Sequence, residues 1–181
     1  MRFGSLRTGL AVLLTAALCA ACGSSGSSKV SASTYVGSVC SAITPLEKDV
    51  VSRSSALNGA TAANATQAKR ALQGFLVAIE SDSNNALTKI QAAGTPDISN
   101  GKAVAGTIVK AFTQLRDAMK VALTKSDSLP TDSPSSFRTA AQALGASVKS
   151  SLNSIDSSGF SNPEIEKAAS SQAACKSLSN G

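Results

Sequence analysis

Apolar residues recur three and four positions apart over most of this chain, a spacing that places them on one side of a helix. Four long stretches show the pattern, and turn-forming segments such as residues 58–59 and 94–96 separate them. The third stretch is the most regular: Val104, Ala105, Ile108, Phe112, Leu115, Met119 and Leu123. No stretch alternates apolar and polar residues as a half-buried strand does. The spacing therefore predicts helices throughout.

The residue types agree with this prediction. Aromatic residues make up only 3% of the chain, and alanine and serine are abundant, so its apolar residues are mostly Ala, Leu, Ile and Val. A core of this kind favours packed helices over sheets. Short connections between the helices favour antiparallel neighbours. We expect one domain over residues 34–179, an up-down bundle of four main helices plus a short C-terminal helix.

Local motifs refine the expected helix boundaries. Residues 44–47 (Thr-Pro-Leu-Glu) match a capping box with proline at the first helical position, which predicts a bend and a new helix from Pro45. Residues 81–85 are poor helix formers and predict a kink or break in the second helix. Capping residues are predicted for three further helices at Ser99, Ser133 and Asn162.

The first 22 residues have the organisation of an export signal. Arg2 and Arg7 precede an apolar run over residues 9–18, which is too short to cross about 30 Å of hydrocarbon. Residues 19–22 (Cys-Ala-Ala-Cys) follow, and they resemble the lipobox of bacterial lipoproteins, with Cys19 where leucine is usual. The resemblance implies a signal peptide over residues 1–21, cleavage before Cys22 and a diacylglyceryl thioether on Cys22.

This resemblance also implies a location. A protein so anchored lies on the extracytoplasmic face of the cell membrane, held by fatty acyl chains such as palmitate. Residues 22–33, rich in Gly and Ser, would form the tether. The alternative is an ordinary secretory signal, cleaved after Ala20 or Ala21, which would leave a free secreted protein.

The cysteine count is consistent with lipidation. With Cys19 removed and Cys22 lipidated, Cys40 and Cys175 remain as a pair. In an oxidising compartment such a pair is expected to form a disulfide that closes the bundle. The alternative, two free redox-active thiols, lacks a Cys-x-x-Cys motif or a histidine neighbour.

The absence of histidine limits the chemistry available to this chain. Serine–histidine and cysteine–histidine catalysis and most zinc sites require it. We therefore expect no catalytic residue, no metal, no cofactor and no enzymatic activity. Two acid pairs, Glu47 with Asp49 and Glu164 with Glu166, are spaced to point to different sides of a helix. We interpret them as acids near helix starts, where they favour the helix dipole.

Basic residues of the third helix lie mostly opposite its apolar stripe. They are Lys102, Lys110, Arg116 and Lys120. A solvated face explains them, but a lipid-tethered domain could also use them to contact anionic headgroups. Nucleic acid is not an expected partner, because aromatic residues do not alternate with the bases.

These features predict a membrane-anchored, non-enzymatic binding module of the cell envelope, with an envelope protein or lipid as partner. One alternative is a carrier of a small hydrophobic ligand or lipid in a pocket between the helices. Such a pocket was expected to involve Phe75, Phe112, Met119 and Phe137. The other alternative is an unfamiliar enzyme, which would need Asp, Lys and Ser side chains converging in a cleft.

Overall fold

Six helices dominate the computed structural model, which describes residues 28–60 and 64–179. Two-residue strands also pair in parallel, Lys29–Val30 (β1) with Thr95–Pro96 (β2); each is too short to show an alternating pattern in the sequence. The all-α bundle predicted from the sequence is confirmed. The helices are α1 (Ala32–Ala60), α2 (Ala65–Ala92), α3 (Gly101–Ser126), α4 (Pro134–Asn153), α5 (Pro163–Ser171) and α6 (Ala173–Ser179).

The central helix of the bundle is α2, which packs against α1 on one side and α3 on the other. Helix α4 lies mainly on α3 and touches only part of α2, while α5 and α6 cover part of α1. Among the described residues, α1 and α4 do not pack substantially against each other. The bundle is therefore incompletely closed along one side of α2.

The apolar stripes predicted from the sequence form the core. Burying each large aliphatic side chain contributes roughly 1.5–3 kcal/mol, so these stripes supply most of the driving force for packing. Phe112 also meets Phe160 edge to face, with ring centroids 6.4 Å apart. Buried members of the core include Val36, Val39, Leu46, Leu76, Ile79, Ile90, Val104, Ile108, Phe112, Met119, Phe137, Leu144 and Ile165.

Helix α1 continues without interruption through Pro45, so the predicted new helix start at Pro45 is wrong. Proline cannot donate a backbone hydrogen bond and costs about 3 kcal/mol inside a helix. The adjacent Thr44 hydroxyl donates to the Cys40 carbonyl at 2.9 Å, which adds a hydrogen bond without replacing the one that Pro45 cannot make. Ala42 and Leu46 are buried on either side of the proline, which favours one continuous packed helix.

Helix α2 is likewise unbroken over residues 81–85, where the sequence predicts a kink or break. Ser83 is fully buried, and its hydroxyl donates to the Ile79 carbonyl at 2.6 Å. The polar group is thus satisfied within the helix. Packing of the neighbouring Ala86 and Leu87 in the core outweighs the low helix propensity of this stretch.

Two of the three predicted caps are confirmed. The Ser133 hydroxyl accepts from the Ser136 amide, and the Asn162 side chain accepts from two amides of α5. The prediction for Ser99 is wrong. Asn100 precedes α3 with a left-handed φ of 58° and no side-chain cap, while the Ser99 amide donates to Glu164 Oε1 at 3.1 Å.

The C-terminal segment forms two short helices where the sequence predicts one, because the chain is extended at Gln172. A straight C-terminal helix would leave Cys40 and Cys175 roughly 9 Å apart along the bundle axis. The break lets α6 lie against α1, and Cys40 and Cys175 form the predicted disulfide, with Cα atoms 5.1 Å apart.

The chain enters the bundle beside the α2–α3 connection. The Thr95 amide donates to the Ser28 carbonyl at 3.0 Å, and the Asp97 amide donates to the Val30 carbonyl at 2.7 Å. Residues 29–33 are predicted from the sequence to belong to the tether, but in the structure they form β1 and the start of α1. We call this end of the bundle, formed by β1, β2 and the start of α1, the proximal end.

Two glycines of α3 give a prediction with an internal control. A Cβ atom at Gly101 would lie 1.9 Å from the Pro96 carbonyl oxygen, whereas one at Gly106 would meet nothing within 4 Å. We expect Gly101→Ala to destabilise the fold by roughly 1–3 kcal/mol. Gly106→Ala should stabilise it by up to about 1 kcal/mol through helix propensity. Urea unfolding followed by circular dichroism measures both, and equal effects would contradict the packing at β2.

Candidate functional site

An apolar groove lies between α1, α2 and α4, where the bundle is not closed. Its volume is about 470 Å³. It begins beside Leu57, which is 25 residues beyond the start of α1 and therefore roughly 38 Å along that helix. The groove is thus at the end of the bundle opposite the proximal end. Its apolar lining residues are Leu57, Ala65, Ala68, Leu72, Pro134, Phe137 and Ala141.

Small side chains on α2 leave this space open. Ala65 and Ala68 are buried beneath the groove, but their methyl groups are too short to fill the gap between α1 and α4. On the α4 side, Phe137 forms a wall and Gly145 adds no side chain. Leu57 and Leu72 remain partly accessible, so the groove presents apolar surface to solvent. Concave apolar surfaces of this kind are typical ligand sites.

The polar residues of the groove lie mainly on its α4 rim. Arg138 and Gln142 are four residues apart, hence on one side of α4, and both are exposed. Asn64 also borders the groove, but its side-chain oxygen accepts from the Gln67 amide at 2.9 Å. No Asp, Glu, Lys, Ser or Cys is among the described residues that line the groove. Among the described residues that line the groove, Arg138 is the only charged one.

The pocket residues expected from the sequence come together only in part. Phe137 lines the groove, whereas Phe112 and Met119 are buried in the core, and Phe75 packs against the core. Phe75, Phe112 and Met119 are not among the described residues that line the groove. The small lining residues Ala65, Ala68 and Ala141 are not predicted from the sequence. Their small size at helical spacing was a signal, but it equally fits close helix packing.

A second cluster joins α1 to α2 through two carboxyl groups and a guanidinium. Arg53 Nε donates to Asp49 Oδ2 at 2.7 Å, and this hydrogen bond lowers the pKa of Asp49. Burial, and then the neighbouring Asp49 carboxyl group, raise the pKa of Asp82. Asp82 Oδ2 is buried without a hydrogen-bond partner among the described residues. The cluster therefore favours the ionised form of Asp49 and disfavours ionisation of Asp82.

The two acid pairs identified in the sequence have different positions. Glu164 and Glu166 lie in the first turn of α5, as predicted. Glu47 and Asp49 lie in the middle of α1, so their assignment to a helix start is wrong. The error follows from the continuation of α1 through Pro45.

Tyr35 of α1 is completely buried, and its hydroxyl has no hydrogen-bond partner among the described residues. Burial disfavours the charged tyrosinate and raises the pKa of Tyr35 to about 12. Since the neutral phenol is favoured in the fold, the contribution of Tyr35 to stability is complete below pH 10. It falls as the pH rises from there through about 12.

The single tyrosine makes this shift directly measurable, because the chain contains no tryptophan. We expect the tyrosinate absorbance of the folded protein to have its midpoint near pH 12, with circular dichroism confirming the fold at each step. The same chain in denaturant should titrate near the ordinary value of about 10. Tyr35→Phe should abolish the signal. A midpoint near 10 in the folded protein would contradict the burial.

The basic residues of α3 lie on its outer side, but acids lie among them. Lys102, Lys110 and Lys120 are exposed and extend over about 27 Å of helix. Arg116 is half-buried and pairs with Asp117 at 2.7 Å. Lys110 is close enough to Asp156 to contribute, after the Ser158 hydrogen bonds, to lowering the pKa of that carboxyl. This outer side of α3 is therefore of mixed charge.

The described part of the chain contains no group of three or more Cys, Asp or Glu side chains arranged to hold a metal ion. None of its helices combines the length and the apolar character needed to cross a bilayer. Cys22, the predicted lipidation site, lies outside the described residues.

The fold and the groove together define a disulfide-closed helical bundle with an apolar concave surface far from the point where the chain enters. Comparisons with protein-family models, curated proteins and solved structures found no match. The groove and its lining residues are therefore the basis for a functional proposal.

Proposed function

We propose that this protein is a lipoprotein tethered to the extracytoplasmic face of the membrane, and that its helical bundle is a non-enzymatic binding module of the envelope. The groove between α1, α2 and α4 carries the binding part of the proposal. It is an apolar concavity of about 470 Å³, open to solvent at the end of the bundle away from the tether. Exposed apolar surface of this kind favours contact with a partner or ligand.

The anchoring part of the proposal is supported by the lipobox-type signal and by the cysteine pairing. Assigning Cys22 to lipid leaves Cys40 and Cys175, which do form a disulfide. Six residue steps separate Cys22 from Ser28, a span of at most about 20 Å. The proximal end would therefore stay near the membrane, while the groove could extend away from it.

A carrier of a small hydrophobic ligand is the second candidate, and the groove volume favours it. Pockets of roughly 300–1,000 Å³ are typical of small-molecule sites. The carrier differs from a fixed binding module in releasing its ligand to an acceptor. Both candidates use the same surface.

Two glycines allow a matched test of that surface. Gly145 borders the groove on α4, Gly106 lies on the exposed side of α3, and a Cβ atom at either position meets nothing within 4 Å. A short aliphatic photoreactive amino acid, much smaller than an aromatic ring, is therefore suited to either position, because its Cβ atom meets no neighbour. We expect irradiation of cells to give discrete cross-linked products from position 145 and none from position 106.

Equal cross-linking from the two positions would contradict a specific surface at the groove. No product from position 145, in a variant that reaches the membrane and unfolds like the unmodified protein, would contradict the binding-module proposal. Mass spectrometry of a product separates the two candidates, because a protein partner and a small ligand add very different masses.

A further inference from the structure

We infer that the groove binds an amphiphile with one acyl chain and an anionic head group, a carboxylate or a phosphate, which Arg138 contacts at the rim. This inference rests on the proposed function, since it names a ligand class for the surface proposed above. Three properties of the groove support it: its apolar floor, its short length and the positive charge of Arg138 at its rim.

The floor and walls suit a hydrocarbon chain. Ala65 and Ala68 form a smooth base, and the partly accessible Leu57 and Leu72 offer flexible aliphatic contacts. From Ala65 to Leu72 the groove extends over about 10 Å of α2, at 1.5 Å per residue. Each methylene group that leaves water for such a surface strengthens binding through the hydrophobic effect. A single chain lying along this floor would therefore be held mainly by its apolar contacts.

The small size of the groove argues against a protein as its main occupant. A stable protein–protein interface usually buries about 1,200–2,000 Å² in total. The lining spans about 10 Å along α2 and about 17 Å along α4, so the groove would contact only about two to three turns of a partner helix. Its volume of about 470 Å³ instead lies within the range of small-molecule pockets.

The charge at the rim selects the head group. Arg138 is exposed beside Gln142 and forms no ion pair with another described residue. Asp132 does not line the groove, and its carboxylate accepts a hydrogen bond from the Ser136 hydroxyl. A guanidinium binds carboxylate or phosphate through two parallel hydrogen bonds. An anionic head at the α4 rim would place its chain on the alanine floor.

The test uses the complete lipoprotein in vesicles of neutral phosphatidylcholine with three photoreactive probes. They are a fatty acid, a lysophosphatidic acid and the uncharged methyl ester of the same fatty acid. After irradiation, mass spectrometry locates the label. We expect at least one anionic probe to label residues 64–72 and 134–145 more strongly than the outer side of α3. Stronger groove labelling by the fatty acid identifies the head group as a carboxylate. Stronger groove labelling by lysophosphatidic acid identifies it as a phosphate.

Two pairs of variants separate binding from folding. Arg138→Gln should reduce groove labelling by the preferred anionic probe about 5–10-fold without changing labelling by the ester. Lys149→Gln should change neither, because Lys149 is an exposed base of the same helix that does not line the groove. Gly145→Phe should block groove labelling, because its side chain projects from the groove wall, whereas Gly106→Phe should not. Circular dichroism and thermal unfolding establish that each variant is folded.

Label spread equally over α3 and the groove would overturn the inference, as would ester labelling as strong as anionic labelling with no effect of Arg138→Gln. Protein cross-links from position 145 without amphiphile labelling would overturn it and leave the binding module standing. The absence of both kinds of product would overturn the binding module as well.

Discussion

Replacing both Cys40 and Cys175 with alanine should lower the free energy of unfolding by roughly 3–5 kcal/mol. The bond joins residues 135 apart in sequence, so it restricts most of the unfolded chain. Loop-closure entropy gives about 5 kcal/mol for a loop of this size, and residual structure in the unfolded state reduces that value. Denaturant unfolding of the exported protein measures the loss as a fall in the midpoint.

The bridge should also have a local effect, because α6 has only seven residues. A helix this short is unstable alone and depends on its packing against α1. In the double variant, we therefore expect amide hydrogen exchange to accelerate more in α6 than in α2 or α3. Reducing agent should destabilise the unmodified protein to a similar degree and leave the double variant unchanged. A loss below 1 kcal/mol, with unchanged exchange in α6, would show that the bridge is not what holds the C-terminus.

Replacing Cys22 with serine should abolish fatty-acid labelling of the protein completely. A serine hydroxyl cannot form the thioether, and processing of a lipobox precursor depends on that modification. The protein should then either leave the membrane or accumulate as an uncut precursor. Metabolic labelling with a fatty acid, combined with fractionation of the envelope, measures both outcomes.

Cys19 provides the matched control for this experiment. It lies three residues before Cys22 and would be removed with the signal peptide. Cys19→Leu restores the residue usual at that position of a lipobox, and it should preserve or increase the label. Persistent label in the Cys22→Ser protein would contradict the assignment of the anchor, as would loss of label in Cys19→Leu.

The helices could be predicted because their stripes of Leu, Ile and Val are periodic, and burial of such stripes is a strong local signal. The errors occurred where tertiary packing opposes a weaker local preference. Pro45 resembles a helix start, but the buried residues on both sides of it keep α1 continuous. Ser83 lies among poor helix formers, yet it is buried with its hydroxyl satisfied by the backbone.

The break at Gln172 had no sequence signal, since neither glycine nor proline is adjacent to it. Its position corresponds to the path that α6 needs to bring Cys175 to Cys40. That requirement is set by the three-dimensional arrangement of α5 and α1, which local sequence preferences do not encode.

The groove was predictable only as a general possibility. A sequence with many alanines at helical spacing is compatible with tightly packed helices and with unfilled space between them. Which of these occurs depends on where α4 lies, and it packs on α3 without closing against α1. Phe137 was correctly expected in a pocket, whereas Phe112 and Met119 are part of the core.

Intact mass measurement of the protein extracted from cell membranes tests the proposed lipid anchor most directly. We expect a chain that begins at Cys22 and carries a diacylglyceryl group, with a further two-hydrogen deficit from the disulfide between Cys40 and Cys175. A chain that begins at Ala21, or at Cys22 without lipid, recovered from the soluble fraction, would contradict it.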